Sequence, residues 1–140
     1  MAFAGISYVA ILVAAVAAWV FGAAYYMALS RPWMAAAGLS KDMIAPQGKG
    51  PSPLPFILSF IGELVMAFVL AGAIGHLGPG QVTLRNGLIS GTILWAGFIL
   101  TTTIITNSYQ RKPWSLSLID SLHWLGVMLV MGAIIGGFGA

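Results

Sequence analysis

Four apolar stretches, each long enough to make a helix that crosses a bilayer, take up most of this chain. A spanning helix needs roughly 20 residues. The first stretch runs from about Gly5 to Leu29, the second from Leu54 to Gly75, the third from Leu84 to Thr106 and the fourth from Ser115 to Phe138. None alternates polar and apolar residues with a period of two, which excludes a barrel. Of the 140 residues, 59% are hydrophobic and 6% charged. A soluble domain of this size exposes too much of its surface to hide so much apolar material. The expectation is one all-α domain over 1–140, a bundle of four transmembrane helices with the lipid bilayer as its solvent.

The first stretch lacks the positive n-region of a signal peptide and is longer than an h-region, so it is expected to be a retained helix. The charges give an orientation. Arg31, Lys41, Lys49, Arg111 and Lys112 fall in the connections after the first and third helices, whereas Arg85 alone falls on the opposite side. Positive residues stay in the cytoplasm. This predicts a cytoplasmic linker over 30–53 and both termini outside. Within that linker, "SRPWMAAAGLSKDM" reads as a short interfacial helix with Ser30 as its N-cap, Pro32 in its first turn and Gly38 at its stop. The proline and glycine of "APQGKGPSPLP" preclude regular structure. Tyr25, Tyr26, Trp33, Tyr109 and Trp114 lie on the same side, where an aromatic belt is expected; Tyr26, Trp33 and Trp114 serve as interface anchors.

Small residues recur four apart: Ala14, Ala18 and Gly22; Ala71 and Gly75; Gly87 and Gly91; Gly132 and Gly136. Such stripes let helices approach closely. They point to a tight bundle and to self-association or a partner membrane subunit.

The unusual residues are polar ones at membrane depth. At about 1.5 Å per residue, Glu63 lies near the middle of the second helix. His123 lies about 5 Å, and Asp120 about 10 Å, to the cytoplasmic side of the middle of the fourth. Thr101, Thr102, Thr103, Thr106 and Asn107 occupy the same half of the third helix, so the polarity is one-sided. A bare carboxylate near mid-bilayer costs roughly 3 kcal/mol even on insertion scales. Glu63 must then stay protonated or find a partner, and His123 is the nearest by depth. Asp120 has His123, Arg111 and Lys112 within plausible reach. Two readings follow. In one, these groups only fix helix register; in the other, Glu63, Asp120, His123, Thr102 and Asn107 line a polar, titratable path entered from the cytoplasm. No metal or cofactor site is expected, because two carboxylates and one histidine carry no ligand spacing. A haem pair is poorly supported, since only His123 lies well inside a helix. Catalytic motifs are absent, which argues against an enzyme. The chain has no cysteine, and its small scattered charge gives no reason to expect nucleic acid.

Several stretches together carry a resemblance. "FGAAYYMALSRPWMAAAGLS", "MAFVLAGAI", "WAGFILTTTIITNSYQRKPWSLSLID" and "LVMGAIIGGF" resemble a bacterial and fungal family of small membrane proteins catalogued as domain of unknown function 1761. The matching elements are Tyr26 followed by Trp33 and Met34, the Thr-rich run closing on Asn107, and the Gly-rich last helix. Where that family usually has a tryptophan before the tyrosine, this chain has Tyr25, and its proline-rich linker is longer. The resemblance implies four membrane helices in a bacterial cytoplasmic membrane and no established activity. The expected function is a small oligomeric channel or transporter, with an accessory or scaffold subunit of a larger membrane complex as the alternative.

Overall fold

The computed structural model describes residues 5–140 and is helical throughout its regular parts. Helix α1 spans Tyr8–Ala28, α2 Ser30–Ala37, α3 Lys41–Ile44 and α4 Leu54–Gly75. Helix α5 (Leu84–Leu94) runs through a π-helical segment (Trp95–Leu100) into α6 (Thr101–Tyr109), and α7 covers Trp114–Phe138. Four helices are long and apolar enough to cross a membrane: α1, α4, the continuous α5–π–α6 rod and α7, with 21, 22, 26 and 25 residues. Their ends follow local chemistry. Ser7 accepts from the Ala10 N–H and Thr83 from the Asn86 N–H, each satisfying a free donor at a helix start. Pro53 and Pro113 precede α4 and α7, where the missing N–H is harmless.

Helix α7 is central, with α1 on one flank and α5 on the other, while α4 packs chiefly on α1. The α5–α7 contact is made by backbone. A Cβ added to Gly87 would lie 1.9 Å from the Gly132 carbonyl oxygen, and one added to Gly132 would lie 2.2 Å from the Gly87 oxygen. Gly91 faces the Met128 backbone in the same way, and Gly136 faces that of Thr83. Stepping by four up one helix matches stepping by four down the other, so the two form an antiparallel ladder. On the opposite side of α7, Val127, Met131 and Ile135 meet Ala14, Ala15 and Ala18 of α1 and Ala67, Leu70 and Ile74 of α4 in one apolar core.

The glycine expectations divide. Gly87, Gly91, Gly132 and Gly136 are where helices touch. Gly22 instead faces the His123 imidazole, and a Cβ on Gly75 would meet nothing within 4 Å. Gly75 lies in the last turn of α4, beyond the close contact, so it is not a packing residue.

Two further differences have physical reasons. Ser30 does not cap α2, because Leu29 ends α1 and begins α2 at once: its N–H bonds the Tyr25 carbonyl and its own carbonyl accepts from Trp33. Gly38 does stop α2, in the left-handed conformation (φ 74°) open to glycine. The third span runs past Thr106 to Tyr109 and is not a regular α-helix. On a straight α-helix, residues four apart drift by about 40° per step. The wider π turns take up that drift, so the row of Gly87, Gly91, Trp95, Ile99, Thr103 and Asn107 stays on the inner side. Phe98 (69% exposed), Thr102 and Ile105 point outward.

Gly132→Ala should lower stability by about 2–3 kcal/mol, because the new methyl meets a backbone that cannot move aside. Gly75→Ala should be neutral or gain up to about 1 kcal/mol from helix propensity. Thermal unfolding in detergent, followed by circular dichroism, separates the two. Equal melting of both variants would sink the account of the α5–α7 contact.

Candidate functional site

The polar residues gather where α1, α7 and α2 meet, at the end of the bundle that carries the basic linkers. His123 is the centre. It is 5% exposed, on the face of α7 that continues through Val127 and Met131. Aromatic rings enclose it: Trp124 at 4.6 Å, Tyr26 at 4.7 Å, Tyr25 at 5.5 Å, and Phe21 nearly parallel at 6.2 Å between ring centres. The imidazole fits because Gly22 has no side chain. A Cβ there would lie 2.8 Å from Nε2. Gly126, one turn beyond His123, does the same for Phe21, whose ring tip would lie 2.3 Å from an added Cβ. Nδ1 is buried and has no hydrogen-bond partner.

Outward from His123, the Tyr26 hydroxyl donates to Asp120 Oδ1 at 2.7 Å. The Trp33 indole on α2 also reaches toward that carboxyl and packs edge-on against Tyr26 at 5.7 Å. The neighbouring Tyr25 hydroxyl donates to the Ile119 carbonyl at 2.6 Å. The expected partners of Asp120 therefore give way to tyrosine. Lys112 is engaged elsewhere, its Nζ donating to the Ala37 carbonyl at 2.9 Å. Helical spacing placed His123 beside Asp120, but the side chains point to different neighbours.

Glu63 lies apart from this cluster. It is 3% exposed on the inner face of α4, in line with Ala67, Leu70, Ala71 and Ile74. Its Oε2 is buried without a partner. The expected bond to His123 is not made, since both atoms stand unpaired. The α4 register explains this. Trp19 donates through Nε1 to the Phe56 carbonyl and packs edge-on with Phe60, which sets Glu63 further along α1 toward its alanines. Among the described residues, no group of three or more His, Asp or Glu side chains comes together as a metal site. Glu63, Asp120 and His123 are thus no common ligand set.

Asn107 keeps an inward role: its Nδ2 donates to Ser117 Oγ at 3.0 Å, tying α6 to the start of α7. Thr102 does not. It is exposed, and its hydroxyl returns to the carbonyls of Phe98 and Ile99 on its own helix, because the π segment has turned it outward. Trp114 is 73% exposed, as suits a side chain at the edge of the bundle, while Tyr26 and Trp33 are half-buried in the cluster instead of standing in a belt. Trp95 fixes the π segment by donating to the Ser121 carbonyl at 2.7 Å. Sequence reading missed Phe21, Trp95, Trp124 and Gly126. Only Gly126 left a signal, being one turn beyond His123 on the same row. The surface grooves are apolar, one lined by Tyr8, Ile11, Leu12 and Leu64 between α1 and α4 and another by Val69, Leu94 and Phe98.

These features define a class: an all-α bundle of four bilayer-length helices, with an aromatic-walled histidine near one end and an isolated buried carboxyl group deeper inside. Residues 9–136 match the family described as "Protein of unknown function (DUF1761)", and the chain belongs to that family. No curated protein and no solved structure matches it.

Gly22→Ala should push the imidazole out of its aromatic nest. The ring-current-shifted His123 resonances would then move toward ordinary values in a histidine-labelled NMR sample, and unchanged resonances would show that the ring is not seated against Gly22. Tyr26→Phe removes the only hydroxyl donor to Asp120 and should cost about 1–3 kcal/mol in denaturant unfolding.

Proposed function

We propose that the protein handles protons within the bacterial cytoplasmic membrane, as a small oligomeric channel or proton-coupled transporter. Asp120 and Tyr26 form the entrance at the linker end, His123 the first internal carrier and Glu63 the innermost one. One observation carries the reading: Glu63 Oε2 and His123 Nδ1 are both buried with no partner. A group that only fixed helix register would be hydrogen-bonded, since an unsatisfied buried polar atom costs about 1–3 kcal/mol. Ionisable residues kept inside a bilayer mark proton and ion routes. Protons, not larger ions, fit a site walled by rings, with apolar grooves outside it.

One copy has no polar groups between Glu63 and the terminal end of the bundle, where Ala14, Leu70, Ile74 and Met131 fill the space. Transfer across the whole membrane then calls on a second copy or a partner subunit. The third span supports this, since only 6% of its most apolar window is buried. The same exposure favours the alternative role, an accessory subunit whose third span rests on a larger complex.

In liposomes with a trapped pH indicator, Glu63→Gln should lower proton flux at least tenfold while leaving the melting curve unchanged. No flux from the wild type, or unchanged flux from the variant, removes the conduction reading; a stoichiometric foreign partner in native mass spectrometry would then establish the accessory role. The basic linkers set the orientation. In the cysteine-free chain, a membrane-impermeant maleimide should label His76→Cys on intact cells and Lys49→Cys only after lysis. The reverse pattern would invert the path.

A further inference from the structure

Helix α2 closes the linker end of the bundle, and little holds it there. It leaves α1 through Leu29 alone, with no intervening loop. Of its residues only Ala36 is buried. Three contacts attach it to the body: the Trp33 ring against Tyr26, the Trp33 indole toward Asp120, and the Lys112 ammonium on the Ala37 carbonyl. The last is the strongest of these by its chemistry, because a cation meets a carbonyl at the negative end of a helix. Beyond Ala37 the chain turns at Gly38 into the short α3 and then a segment rich in proline and glycine, which ties α2 down no further. Immediately behind Trp33 lies Tyr26, and behind Tyr26 lies His123 at 4.7 Å.

We propose that α2 is a hinged cover over the His123 nest, turning about Leu29, with the Lys112–Ala37 hydrogen bond as its latch. Closed, α2 presses Trp33 on Tyr26 and keeps water from the imidazole. Released, it bares Tyr26 and Asp120 and opens the route to His123 from the linker side. Such a cover acts on access alone and stands whether or not protons pass through the bundle.

The chain contains its own control, because it has two histidines: His76 is exposed and His123 is not. The purified protein in lipid discs is treated with diethyl pyrocarbonate, and modification of each histidine is followed over time by peptide mass spectrometry. In the wild type His123 should react at least tenfold more slowly than His76. Lys112→Met, which removes the latch donor, and Trp33→Ala, which removes the packing, should each raise the His123 rate at least fivefold with His76 unchanged. Lys112→Arg restores a donor and should return the rate to within about twofold of wild type. Melting curves identify any variant that has lost its fold, and the remaining variants then decide. A His123 rate that stays at the wild-type value in folded Lys112→Met and Trp33→Ala overturns the proposal. So does a wild-type His123 that reacts as fast as His76.

Discussion

The contact between α5 and α7 governs the arrangement of the rest. Gly87, Gly91, Gly132 and Gly136 bring two backbones to a separation that no side chain permits, and helices in lipid associate through such dispersion contacts. Once one flank of α7 is occupied in this way, its opposite flank must receive α1. That flank carries His123, Val127 and Met131, which meet Gly22 and the alanines of α1. Helix α4 then covers the remaining side of α1 and brings a carboxyl group inside with it. The histidine and the glutamate are placed by packing far from either of them.

The bundle has two unlike ends. At the terminal end small and aliphatic residues fill the space between helices, and the close approach of glycines leaves no room for water. At the linker end the fit is made by rings and hydroxyls, and three hydroxyl, indole or amide donors fasten α7 to its neighbours at Ile119, Ser121 and Ser117. Each of these donors finds an acceptor, as polar groups in an apolar setting must. The two atoms that do not, on Glu63 and His123, stand out because everything around them obeys the rule.

Much of the fold could be read from the chain. The lengths and apolarity of four segments gave the helices, and glycines four apart on the third and fourth marked the contact that joins them. The one-sided polarity also lies where the sequence put it. Side-chain partners were less accessible. Asp120 was paired by helical spacing with His123 and by charge with Lys112, yet a tyrosine from a helix 94 residues earlier in the chain takes that place. Such a pairing depends on the rotation of one helix against another, and periodicity carries no record of it. Glu63 was matched to His123 by depth alone; depth ignores the register that Trp19 imposes on α4. Thr102 was assigned to the interior on the assumption of a uniform 3.6-residue turn, and one π segment was enough to reverse it.

That segment has a consequence for how the chain tolerates change. A π turn is an α-helix holding one residue more than its hydrogen bonds need. Removing any single residue between Trp95 and Leu100 would let the rod relax into a plain α-helix with its backbone bonds intact. Everything after the deletion would swing by about 100°. Asn107 would leave Ser117, and the outward row of Thr102 and Ile105 would move toward α7. The third span would still be a sound helix of nearly the same length, but it would show α7 a different face, so a lost codon here would act less as damage than as a turn of a key.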